Sequence, residues 1–143
     1  MIAVETLSSA ILWPAVVLAL LTLGLFVPLI QGRFRAVKTG EARPGQFKLR
    51  EREPDSTRAF YNAVVNQFET PVLFYALVAL VFVTGQGDGW MVALAWGYVV
   101  FKAAQTFVLV TSNKLRPRMM AFGVAILLLT LMWILFALRL ALA

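Results

Sequence analysis

Four long apolar stretches separated by short polar connections dominate the chain: Ile11 to Ile30, Phe60 to Thr84, Trp90 to Ser112 and Met119 to Leu142. About 20 helical residues cross the hydrocarbon core of a bilayer, and each stretch is long enough to do so. The second is polar in its first half, with Asn62, Asn66, Gln67 and Glu69. Its second half, Pro71 to Thr84, is apolar but too short to cross unaided, so the pattern predicts one span containing both halves. No stretch shows the period of two required by a membrane barrel strand. The pattern predicts an all-α integral membrane protein: a four-transmembrane-helix bundle in which residues 1–143 form one domain. Pro28 near the end of the first span and Pro71 inside the second predict a local kink or a freed carbonyl.

Composition agrees and narrows the chemistry. The chain is 61% hydrophobic and only 14% charged, so membrane lipid is its principal solvent. Four spans leave no room for tandem domains or a large soluble catalytic module. There is no Cys and no His, which excludes disulfides, thiolate nucleophiles, the usual zinc sites and Ser-His or Cys-His catalysis, and no metal is expected. The only early charge is Glu5. With no basic n-region, the first span is expected to be retained rather than cleaved as a signal peptide.

Charge then sets the orientation. Arg33 to Arg58 holds eight basic residues against four acidic ones, and the third connection adds Lys114, Arg116 and Arg118. The second connection has only Asp88. By the positive-inside rule both basic connections face the cytoplasm and both termini face away from it. The net charge of +6 is thus a topology signal, and no nucleic-acid role is expected because the bases are mixed with acids beside the membrane. The Ala141-Leu-Ala143 end carries no retention or lipidation signal, which is compatible with a bacterial inner membrane.

Glu69 and Lys102 are the residues that lipid should exclude, because a charge at mid-span costs about 2.5 to 3.5 kcal/mol on insertion scales. At about 1.5 Å per residue, Glu69 lies roughly 16 Å and Lys102 roughly 18 Å below the basic ends of their spans. Asn62, Asn66 and Glu69 share one helix face; Lys102, Gln105 and Asn113 share another. A polar seam between spans two and three is therefore predicted, opening toward the basic connections, with Arg58, Tyr61, Arg116 and Arg118 at its rim. One reading is structural: a buried Glu69–Lys102 pair and interhelical amide bonds that set register. The other is a pocket for a small, charged, peptide-like ligand. The remaining features read plainly. Ala93, Gly97, Ala103 and Ala104 suit close helix packing, Trp13, Trp90 and Trp133 suit interfacial belts, Gly85 to Gly89 suits a tight turn, and Arg139 suits snorkelling to the outer interface.

The string Arg58-Ala-Phe-Tyr-Asn62-Ala-Val-Val-Asn66-Gln-Phe-Glu69-Thr-Pro71-Val-Leu-Phe74-Tyr75 resembles the second-helix signature of the MAPEG proteins, the membrane-associated proteins of eicosanoid and glutathione metabolism. Trp96-Gly-Tyr98 through Asn113-Lys-Leu-Arg116-Pro-Arg118 is similar to that family's third helix and the turn into its fourth. The resemblance covers nearly the whole chain. It implies a homotrimer that binds glutathione between subunits near the cytoplasmic side, as co-substrate of a transferase or peroxidase acting on lipophilic electrophiles.

Carried over by position, Asn66 and Glu69 match the family's Asn-x-x-Glu, and Arg118, less closely Arg116, matches the Arg that stabilises the thiolate. Arg58 and Arg116 would meet the carboxylates, with Asn62, Lys102 and Gln105 completing the glutathione site. The chain also departs from the family: Asn62 stands where an Arg is usual, and Lys102 and Gln105 stand where Arg and His are common. Lys cannot make the planar bidentate contact of Arg. Two alternatives stand beside the enzyme: a non-catalytic scaffold or accessory subunit, and a small proton-coupled transporter using Glu69.

Overall fold

The computed structural model describes residues 9–48 and 52–142; Glu5, Arg50, Glu51 and Ala143, which enter the charge and terminus readings, lie outside them. The elements are α1 (Leu12–Lys38), a 3-10 turn (Pro44–Lys48), α2 (Asp55–Gln67), α3 (Thr70–Val83), α4 (Gly89–Val110) and α5 (Leu115–Leu142). α2 and α3 together make one 29-residue span, Asp55–Val83; with α1, α4 and α5 this gives four helices long and apolar enough to cross a membrane.

Two helices outrun the apolar pattern. α1 continues past Ile30 to Lys38, so Arg33, Arg35 and Lys38 ride on its last turns rather than in a loop. α5 starts at Leu115, which places Arg116 and Arg118 in its first turn. Hydropathy marks where the apolar side chains stop, whereas a helix ends where its carbonyls find other partners. At α1 that happens at Thr39, whose hydroxyl donates to the Arg35 carbonyl at 3.1 Å. At the end of α3, Gly85 adopts φ +67°, and the Gln86 amide returns to the Val81 carbonyl at 3.0 Å, a closure that glycine permits without steric cost.

The two internal prolines behave differently. α1 runs through Pro28 without interruption. Pro71 breaks its span outright: it offers no N–H to the Gln67 carbonyl and its ring crowds that oxygen. α2 ends at Gln67, and Glu69 leaves the helical region at φ −95°, ψ −102° before α3 begins.

The core is divided in the same place. Toward the Asp88 end, Leu18, Phe74, Leu77, Met91, Tyr98, Leu129 and Met132 form the larger apolar cluster, with the Phe74 and Tyr98 rings stacked at 4.5 Å. Toward the basic end, Leu25, Leu29, Ala63, Val64 and Leu109 form a smaller one. Gln67, Lys102, Gln105 and Thr106 are all buried and tie α2 to α4 in a polar layer; Gln67 Nε2 donates to Thr106 Oγ1 at 2.9 Å.

Of the small residues, Gly97 is in close helix contact: a Cβ there would stand 3.1 Å from Leu128 Cδ1 on α5. Ala93 and Ala104 are exposed on the single chain. Trp13 and Trp90 are exposed as belt residues would be. Trp133 is half-buried, packed against the larger cluster and edge-on to Phe136 at 6.3 Å.

Ion pairs close both ends of the bundle. Arg139 does not simply snorkel: it donates to Asp88 Oδ2 at 2.6 Å and to the Gln86 carbonyl at 3.1 Å. Burial pushes the Asp88 carboxyl up, but the bonds from Arg139 and the Met91 amide outweigh it and hold it below the usual range. At the basic end α1 and α2 approach so closely that a Cβ on Gly32 would fall 2.7 Å from Thr57 Cγ2. Arg33 beside it grips Glu53 with two bonds, 2.9 and 2.7 Å, and Thr57 Oγ1 donates to the same carboxylate at 2.7 Å.

Burial also opposes ionisation of Glu53, yet the bonds from Arg33 and Thr57 prevail and its carboxyl sits below its ordinary value. A depressed carboxyl adds stability that is complete above the unfolded-state pKa and is lost as pH falls through the folded-state value. Acidification through the carboxylate range is therefore expected to free the α1–α2 connection from α1. Limited proteolysis between Thr39 and Pro54 should rise in acid, and Glu53→Gln should show raised cleavage already at neutral pH. Equal cleavage of both proteins at every pH would contradict this.

Candidate functional site

The break at Phe68–Glu69 frees backbone groups where lipid cannot satisfy them. With α2 ended, the Thr70 amide no longer serves the Asn66 carbonyl. That oxygen instead accepts from Lys102 Nζ at 3.4 Å, and the same ammonium donates to Gln105 Oε1 at 3.0 Å. The Phe122 ring of α5 lies over the cation at 5.8 Å. Lys102 is thus 1% exposed and held by two oxygens and a ring face. The direct Glu69–Lys102 ion pair expected from their matching depths does not form.

Glu69 lies midway along its span and is exposed. Among the described residues its carboxylate makes no hydrogen bond and no direct ion pair; its charge acts on Lys102 only at longer range.

Above Lys102 a cavity of about 390 Å³ opens between α2, α4 and α5. It is lined by Asn62, Asn66 and Glu69 from α2 and the break, by Gln105 and Leu109 from α4, and by Arg118, Met119 and Phe122 from α5. Five of the eight residues singled out from the sequence, Asn62, Asn66, Glu69, Gln105 and Arg118, therefore meet in one place. Lys102 does not line it and connects to it through Gln105, the Asn66 carbonyl and the Phe122 ring.

Arg58 and Arg116 stand outside. Arg58 pairs with Asp55 at 2.7 Å and donates to the Glu53 carbonyl at 3.2 Å, and Arg116 is fully on the surface. Tyr61 is turned to the other side of α2. Arg118 is anchored by Asn113 Oδ1 at 2.8 Å, an Asn held at φ +45° in the turn before α5.

The chemistry of the cavity is mixed. A guanidinium sits in the first turn of α5, where the helix dipole also favours an anion. Glu69, at the helix break, adds a carboxylate without a direct partner among the described residues, and three amide side chains complete the polar lining. Such a site suits a ligand with an anionic group, a cationic group and peptide bonds, bound by charge-assisted hydrogen bonds.

A second cavity, about 610 Å³, lies across α2 between α1 and the 3-10 turn, lined by Phe26, Leu29, Arg33, Phe47, Tyr61, Val64, Val65, Phe68 and Glu69. Val65 and Glu69 line both. Sequence reasoning missed this one, along with the role of Arg33, whose guanidinium lies 5.2 Å from the Phe47 ring and 5.7 Å from the Tyr61 ring.

Four apolar helices around a mid-membrane polar layer and a cavity opening at one end define a polytopic helical membrane protein with a ligand-sized polar site. The model of the MAPEG family matches residues 11–138, nearly the whole chain, and the chain belongs to that family, which covers glutathione-related transferases and accessory members. No curated relative and no solved structure matches it.

Proposed function

We propose that the α2–α4–α5 cavity binds glutathione and that the protein acts as a glutathione-dependent transferase or peroxidase on lipophilic electrophiles arriving through the bilayer. The observation that carries this reading is that one cavity is lined by the carboxylate of Glu69, the guanidinium of Arg118 and the amides of Asn62, Asn66 and Gln105. Glutathione is a zwitterionic peptide: its ammonium pairs with Glu69, its peptide groups with the amides, and its thiol lies near Arg118. A guanidinium beside a thiol lowers its pKa, and the thiolate is the nucleophile. The thiol proton passes to solvent, the sulfur bonds to the electrophilic centre, and the displaced group leaves with the bonding pair. By the resemblance and the positive-inside rule, the working form is a homotrimer in a bacterial inner membrane with the basic end cytoplasmic.

Arg58 and Arg116 do not line the cavity of a single chain, where Arg118 beside the thiol is the one cationic lining residue. The scaffold reading has its own support in the Gln67–Thr106 and Lys102–Asn66 contacts, which register α2 against α4 without any ligand. The two readings divide the seam between its buried and its open half.

Calorimetric titration of the purified protein with millimolar glutathione is expected to saturate. Arg118→Ala and Glu69→Gln should each weaken binding by about tenfold or more, the loss expected when one side of a desolvated charge contact is removed. A flat titration would refute the proposal and leave the scaffold reading.

A further inference from the structure

Glu69 faces two cavities, and the zwitterion-binding reading uses only one of them. The larger, between α1, α2 and the 3-10 turn, has a different chemistry. Its walls are the rings of Phe26, Phe47, Tyr61 and Phe68 with the aliphatic Leu29, Val64 and Val65. It carries two charged residues. Arg33 at the basic end is already neutralised by the bidentate Glu53 contact, while Glu69 at the helix break has no direct partner among the described residues. Lys102 is on the α4 side and is held by Gln105 and the Asn66 carbonyl, and Arg118 lines only the other cavity. The cavity is therefore an aromatic chamber whose one uncommitted charge is negative.

A carboxylate at mid-membrane requires a counter-charge, and aromatic faces attract cations that have shed their water. At about 610 Å³ the chamber falls within the range of drug-sized ligand sites. We infer that the α1–α2 chamber is a binding site for lipophilic cations, with the aromatic and aliphatic walls taking the apolar body and Glu69 the charge. This site shares Glu69 with the glutathione site but does not rest on the glutathione reading and would persist if that reading failed.

Tetraphenylphosphonium is a suitable probe, because it is a hydrophobic cation with no hydrogen-bond donor; tetraphenylborate is the anion of matching shape. Equilibrium dialysis of the detergent-purified full chain is expected to show saturable phosphonium binding and no comparable borate binding. Glu69→Gln should weaken phosphonium binding about tenfold, equivalent to 1.4 kcal/mol, while Glu69→Asp should keep most of it. Phe68→Ala removes an exposed ring of the chamber and so is expected to fold; it too should weaken binding.

Arg118→Ala alters only the opposite cavity and should leave phosphonium binding unchanged, which separates this site from the glutathione site. Absence of saturable binding, equal binding of the borate, or undiminished binding in both Glu69→Gln and Phe68→Ala would overturn the inference.

Discussion

Phe74→Ala is expected to lower the stability of the bundle by about 3 kcal/mol, the low end of the range for truncating a buried Phe. Phe74 and Tyr98 are both fully buried, and their stacked rings pin α3 to α4. Their contact is worth about 0.5 to 1.5 kcal/mol beyond shape alone. The low end applies because lipid tails solvate an apolar side chain as well as the protein interior does. The transfer part of the cost falls away, leaving the lost packing and the void. Unfolding in detergent–denaturant mixtures would measure the loss. A destabilisation below about 1 kcal/mol would mean that the neighbours collapse into the space, as relaxed cavities do.

Lys102→Met carries the second large effect, through a different mechanism. Methionine fills nearly the same volume, so packing is kept while the donor is lost. Gln105 Oε1 and the Asn66 carbonyl then have no partner for the bonds they accept from Nζ. Each buried unpaired acceptor costs about 1 to 3 kcal/mol, so a total loss of about 2 to 6 kcal/mol is expected from the two. The same unfolding measurement applies, with an internal control: Lys102→Met combined with Gln105→Leu removes one stranded acceptor and should recover part of the loss. If Lys102→Met proved as stable as the parent, the ammonium could not be what satisfies the broken helix. The pair also discriminates between partners, since an ion pair with Glu69 would show no rescue at Gln105.

How far the site was legible differs from residue to residue. Asn62, Asn66, Glu69, Gln105 and Arg118 converge as expected because helix-face counting and depth counting depend only on rise and turn, which lipid does not alter. The interruption anticipated from Pro71 is present as well. What counting did not reveal is that the helix break also releases the Asn66 carbonyl, and that this oxygen, rather than Glu69, would receive the Lys102 ammonium, since face patterns treat every helical carbonyl as already paired. Tyr61 went astray for a related reason. It precedes Asn62 by one residue and is turned about 100° from it, which puts it in the aromatic chamber.

Gln67 stands next to Asn66 in the chain and likewise points elsewhere, to Thr106. Arg33 and Glu53 are separated by twenty residues and a folded connection, so no periodicity could join them. The apolar pattern also stopped short of the true ends of α1 and α5. The basic turns of those helices lie outside the hydrocarbon, where hydropathy carries no helix signal.

The interruption at Phe68–Glu69 has a mechanical consequence too. An unbroken helix transmits bending and torsion along its whole length through its hydrogen-bond ladder; here that ladder stops between α2 and α3. α2 is therefore positioned sideways, by Gly32–Thr57 packing and the Arg33–Glu53 pair on α1 and by Gln67–Thr106 and Lys102–Asn66 on α4, while α3 is fixed by the Phe74–Tyr98 stack. Both cavities flank α2 and both touch Glu69 at the break. The wall between the two chambers is thus set by lateral contacts rather than by the stiffness of one continuous helix.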